Sequence, residues 1–236
     1  MMTSQRTCSY FFVCVLLSFF ITASAQTKEE SAGWLYLSGE QALAKKWSVS
    51  ADVQLRSADQ FTYVSAVLLR PGLVYKFTKK QSATLGYTYF GTWEREDGKT
   101  AFTPEHRIWE QYQVKGKIGR AELTNRFRLE QRFIQNEKDL FAQRFRYYIR
   151  SQSPFAKQSE FEKGAYWVLQ NELFLNVQHA ENINHKLYDQ NRLYGALGLR
   201  LSKQWDVEAG YIYRYQIEDE NKLSSHILQL AVYADL

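Results

Sequence analysis

Cysteine is missing from the chain after residue 25. The only two, Cys8 and Cys14, fall in an apolar stretch from Cys8 to Ile21 that follows Arg6 and ends at Ala23-Ser24-Ala25. That stretch has the form of a secretory signal peptide, and it is shorter than the roughly 20 residues a membrane-spanning helix needs. A cut after Ala25 leaves 211 of 236 residues as a single domain over 26–236. The mature chain then has no disulfide, no thiol chemistry and no cysteine for a lipid anchor. Strong charge is also missing: without Arg6 there are 29 basic against 25 acidic residues, which gives no sign of a nucleic-acid partner. From Gly33 onward no helical period is found, and no Gly-rich phosphate loop is present.

What is present is alternation of apolar with polar residues over about ten positions at a time, the period of a strand. In Trp47 to Arg56, the residues Trp47, Val49, Ala51, Val53 and Leu55 share one face, and Ser48, Ser50, Asp52, Gln54 and Arg56 share the other. The same reading predicts strands at Gly33–Leu43, Trp47–Ser57, Tyr63–Phe77, Ser82–Trp93, Glu105–Gly116, Ala121–Phe133, Phe141–Ser151, Ala165–Asn176, Leu187–Leu201, Trp205–Gln216 and Ser224–Leu236. Tight connections such as Ala44-Lys45-Lys46 and Ser202-Lys203-Gln204 alternate with longer ones such as Gly91 to Pro104 and Val177 to Lys186. The connection from Gln152 to Gly164 is an exception on the short side.

A soluble barrel or sandwich would show the same stripe turned inward. Three features point the apolar face toward lipid instead. The segments exceed the 5–6 residues typical of soluble strands. Aromatic residues close the stripes at both ends (Trp47, Phe77 and Trp205 near the tight turns, Trp93, Phe133 and Tyr215 opposite), as two interfacial girdles would require. The stripe Leu228, Leu230, Val232, Ala234, Leu236 also resembles the C-terminal signal by which outer-membrane barrels are recognised for assembly. The expected fold class is therefore all-β, an antiparallel up-and-down transmembrane barrel with short periplasmic turns and longer extracellular loops. Even strand numbers in bacterial single-chain barrels favour ten or twelve strands over the eleven segments read; ten would drop Gly33–Leu43 and twelve would require a missed strand.

Arginine and lysine divide sharply between strand and loop. Of fourteen mature arginines only Arg95 and Arg120 fall outside the predicted strands, whereas of fifteen lysines only Lys76 and Lys115 fall inside them. By parity Arg56, Arg70, Arg107, Arg126, Arg128, Arg132, Arg144, Arg146, Arg150, Arg192, Arg200 and Arg214 face the lumen. Asp52, Glu105, Glu122, Glu130, Glu172, Asp206 and Glu208 face it with them. The candidate site is this basic ladder with its acidic partners. One reading is structural: a narrow lumen is filled by side chains, and guanidinium forks pair with carboxylates in networks. A second is an anion-preferring pore lined by the same groups.

A third reading, a lipid-modifying enzyme with Ser and His on the lipid face, finds little to stand on. His226 follows Ser224-Ser225, and adjacent strand residues point to opposite faces; His106 has no serine beside it. No catalytic residue is assigned. His179, Glu181 and His185 lack a defined metal-ligand spacing, so no metal and no cofactor is expected. Glu110 and Gln131 fall on the apolar face by strict parity, which implies either a bulge or an interfacial position.

The stretches Glu105-His106-Arg107-Ile108-Trp109-Glu110-Gln111, Arg128-Leu129-Glu130-Gln131-Arg132-Phe133 and Arg144-Phe145-Arg146-Tyr147 resemble the family called domain of unknown function 2490. The similarity extends to Lys45-Lys46-Trp47-Ser48 and Asn191-Arg192-Leu193-Tyr194. The resemblance implies an outer-membrane β-barrel in a Gram-negative cell and supplies no reaction. The expected partners are outer-membrane lipids, the barrel-assembly machinery and a small anionic solute.

Overall fold

In the computed structural model, which describes residues 27–236 apart from 59, 97, 136–137, 157–160 and 219–220, the alternating segments all become strands. They are β1 (Thr27–Ala42), β2 (Trp47–Ala58), β3 (Tyr63–Lys76), β4 (Gln81–Glu96), β5 (Lys99–Ile118) and β6 (Ala121–Gln135). There follow β7 (Asp139–Pro154), β8 (Gly164–Gln178), β9 (Tyr188–Arg200), β10 (Trp205–Glu218) and β11 (Asn221–Asp235). One 3-10 turn, Ala180–Asn182, lies between β8 and β9. The expected leader, residues 1–25, lies outside the described residues.

Each strand pairs antiparallel with its neighbours in sequence, and β1 meets β11 to close an eleven-stranded barrel. The count settles between the ten and twelve that parity favoured. Gly33–Leu43 is a full barrel strand, and no twelfth strand is needed because β1 and β11 run parallel, with Gly33 opposite Leu228 and Leu37 opposite Val232. Parallel pairing makes an odd number closable. At one end the connections are the tight turns at 43–46, 77–80, 119–120 and 201–204 and the longer 155–163. At the other, much of the expected loop from Gly91 to Pro104 is strand: β4 and β5 extend until Glu96 pairs with Lys99.

The pleat sorts side chains by solvent preference. Leu35, Leu69, Leu85, Leu169, Leu197 and Leu230 project from the outer surface, whereas Arg107, Glu130, Arg146, Glu172 and Glu208 are buried inside. The barrel is thus inverted relative to a soluble one: most of its large aliphatic side chains face outward, and its charged groups are buried within. Two aromatic bands ring its outside. Near the tight turns Trp47, Tyr75 and Phe77 stack edge to face at 4.8 and 5.1 Å, and Tyr112 follows at 6.4 Å. Toward the opposite end come Trp93 with Phe102 at 5.0 Å and Phe133 with Phe141 at 5.2 Å. Tyr112 and Phe102 are ten residues apart on β5; at about 3.3 Å per residue and a tilt of about 40° they stand roughly 25 Å apart along the axis, the height of the apolar band of an outer-membrane barrel.

Glycine on the inner face makes room for aromatic rings from the next strand. A Cβ on Gly86 would lie 2.1 Å from the Trp109 ring, one on Gly198 2.2 Å from Tyr166, and one on Gly210 2.4 Å from Tyr194. Together with Trp34 and Phe174, these buried rings occupy the lumen between the charged groups. The ends are tied as well. From the 155–163 connection Phe161 turns inward onto Tyr166, with Arg200 4.7 Å from its ring and donating to its carbonyl at 2.9 Å. At the far end Asn184 is buried and donates to the carbonyls of Tyr188 and Ile217, while Asn182 donates to that of Phe141.

Candidate functional site

Every residue of the predicted basic ladder faces the lumen, and all but Arg56 and Arg192 lie within ion-pair distance of a carboxylate, in several separate clusters, the largest of which joins Arg126, Arg128, Arg144 and Arg146. On β5 and β6, Arg107 and Arg132 both donate to the Glu105 carboxylate, at 2.7 and 2.6 Å through their Nε atoms. Glu130 receives Arg144 at 2.8 Å and Arg146 at 2.5 Å. Glu172 on β8 receives Arg146 and, from two strands away, Arg126, each at 2.6 Å. Arg150 on β7 reaches Glu208 on β10 across two strands, where Tyr166, Tyr194 and Tyr233 also donate to the same carboxylate. Arg214 pairs with Glu30 at 3.0 Å, and Arg70 with Asp52 at 2.5 Å.

The sequence reading missed two of the acids. Glu30 belongs to the N-terminal extension of β1, ahead of the first alternating residues. Asp189 is buried and pairs with Arg144 at 2.9 Å; a register irregularity between Phe174 and Leu175 in the β8–β9 ladder leaves Asp189 and Gln190 both buried in succession. Glu122, assigned to the lumen by parity, sits at the exposed mouth and pairs with Lys117 at 3.2 Å.

Three of the lumen arginines have no carboxylate within a close ion-pair distance among the described residues. Arg56 donates to Gln54 and lies 4.0 Å from the Trp34 ring. Arg192 donates to Gln190 and lies 4.6 Å from Phe174 and 5.1 Å from Trp34. Arg128 donates to Gln111, stacks 3.9 Å from Trp109, and is 3.8 Å from Glu130. Their charge is met by amide oxygens and ring faces. A cavity of about 110 Å³ lies among Arg70, Arg126, Arg128, Arg146 and Arg192, with Asp52 and Glu172 as its two carboxylates.

Several polar groups on the outer face are paired. Glu110 and Gln131 stay on that face with no reset of register, and Gln131 Nε2 donates to Glu110 at 3.0 Å. His106 meets the Tyr87 hydroxyl through Nδ1 at 2.5 Å and packs on Tyr89; His226 meets Tyr211 in the same way and packs on Tyr213. Ser224 and His226, two residues apart, do share the outer face, but the serine hydroxyl bonds Tyr213 at 3.0 Å and the imidazole bonds Tyr211. Neither histidine meets a serine in a nucleophile–base bond. In the β8–β9 connection His179 Nδ1 bonds Glu181 at 2.9 Å, and this bond holds the exposed Glu181 carboxyl below its ordinary range. No group of three metal-ligating side chains occurs among the described residues. A shallow apolar depression of about 920 Å³ lies along the β1–β11 seam, walled by Leu35, Leu55, Leu197, Leu228 and Leu230, with Phe61 laid over Gly33.

A family model described as a protein of unknown function (DUF2490) matches residues 31–224. No curated protein and no solved structure matches the chain.

Proposed function

We propose, from the premise that this chain belongs to the DUF2490 family of proteins of unknown function, that it is a small outer-membrane barrel that is closed to ions at rest and serves the envelope as a scaffold rather than a catalyst. The observation that carries this reading is the inversion of solvent preference. An apolar exterior between two aromatic bands surrounds a lumen in which most charges are paired with one another. Hydrocarbon is the solvent such an exterior matches, and a closed barrel leaves no unpaired strand edge in it. The seam depression would be filled by lipid chains. Export by a cleaved leader and insertion by the barrel-assembly machinery belong to the same proposal.

Closure follows from how the lumen is filled. Arg144–Asp189, Arg150–Glu208 and Arg126–Glu172 each bridge across at least one strand, and Trp34, Phe174 and Tyr194 occupy the space between them. Ions crossing would have to break paired charges. The expected result in a planar lipid bilayer is therefore an absence of unitary current steps from the purified barrel. Steady anion-preferring steps that shrink in Arg126→Ala or Arg128→Ala would replace this reading with a pore. Recovery of the mature chain as a detergent-free protein in a periplasmic extract would remove the membrane assignment itself.

A further inference from the structure

Around the 110 Å³ cavity, charge does not balance. Five guanidiniums, from Arg70, Arg126, Arg128, Arg146 and Arg192, meet two carboxylates. Those carboxylates are already engaged: Asp52 by Arg70, Glu172 by both Arg126 and Arg146. Glu130 lies nearby but is committed to Arg144 and Arg146, leaving Arg128 at 3.8 Å. Arg192 has no carboxylate partner among the described residues and spends only Nε on Gln190. Arg126 holds Glu172 through Nη2, while its buried Nε has no hydrogen-bond partner.

A desolvated guanidinium surplus is costly unless an anion answers it. The geometry points to a resident small oxyanion, of the phosphate or sulfate type, held at the middle of the lumen by Arg126 and Arg192. Several planar forks arriving from β3, β6 and β9 suit an acceptor with oxygens in several directions. The cavity has room for one such ion. This inference rests on the proposed closed lumen in so far as a filled barrel holds the ion rather than passing it.

The experiment is a thermal unfolding titration of the refolded barrel in detergent. Inorganic phosphate replaces gluconate, an anion too bulky for the cavity, at constant ionic strength. The expected result is a rise in the unfolding midpoint that grows with the logarithm of phosphate concentration above the half-saturating value, about 5–10 °C at a hundredfold excess over it. Sulfate should compete and chloride should act more weakly. Arg192→Gln should raise the half-saturating phosphate concentration at least about tenfold, the usual scale for losing one charged contact, while Arg120→Gln, on an exposed turn, should leave it unchanged.

Gln170→Glu supplies the opposite test. Gln170 lines the cavity and accepts from Tyr148 at 3.1 Å, so a carboxylate there should raise the phosphate-free midpoint and abolish the phosphate response. A response equal for phosphate, sulfate and chloride, or one that survives in Gln170→Glu, overturns the site. If either variant does not fold, the wild-type anion series alone decides. Bilayer currents together with a phosphate-specific response would defeat the closed-barrel reading and leave the site standing. Silence without any anion-specific response would do the reverse.

Discussion

Replacing Glu130 by Gln is expected to lower the unfolding free energy by about 3–5 kcal/mol, the cost of removing one partner from a buried ion pair. Glu130 is 1 % exposed and holds Arg144 and Arg146, with Arg128 at the edge of reach. Glutamine matches its shape but supplies one acceptor oxygen and no charge. Arg144 would keep Asp189 and Arg146 would keep Glu172, so the barrel should still form. Urea unfolding in lipid vesicles, followed by tryptophan fluorescence, reads the effect as an earlier midpoint. Glu122→Gln provides the comparison, because its pair with Lys117 is exposed and is worth under about 1 kcal/mol. Equal small effects at the two positions would mean that the lumen is wet enough to screen its charges, and the closed-barrel proposal would fall with that.

Gly86→Val is expected to cost a comparable amount by a different route. The added Cβ would stand 2.1 Å from Trp109, so the indole has to leave its place. Overpacking of this kind costs about 1–3 kcal/mol. The displaced ring also gives up its Nε1 hydrogen bond to Thr88, 3.0 Å in the native barrel, and its face against Arg128. An indole N–H left buried without a partner adds about 1–3 kcal/mol. The pair Gly86→Val with Trp109→Val should regain at least about 1 kcal/mol of the sum of the single losses, measured as a double-mutant cycle. Additive losses would show that the ring moves aside freely and that the glycine has another purpose.

Strand positions, the outward face and the arginine ladder were legible because a pleat repeats every two residues and the two faces meet different solvents. What escaped was set by pairing rather than by local pattern. Asp189 breaks parity at an irregularity that only the neighbouring strand reveals. Glu30 lies in Thr27-Lys28-Glu29-Glu30-Ser31, which has no apolar alternation to announce a strand. Trp109, Tyr166 and Tyr194 share the parity of the lumen charges, but the glycines that make room for their rings lie on neighbouring strands, which no single segment shows. The parallel meeting of β1 and β11 joins segments at the two extremes of the chain, which no window of residues can display.

That seam also decides geography. With an odd number of strands the polypeptide enters at one rim and leaves at the other: Thr27 stands beside Lys222 at the rim where β2 meets β3 and β4 meets β5, and Leu236 lies by Glu40 and Ala42 at the rim of the tight turns. In a bilayer, epitopes fused before Thr27 and after Leu236 would face different compartments. Splicing those residues together through a short peptide, the usual route to a circular permutant, would demand a tether that runs the whole height of the wall.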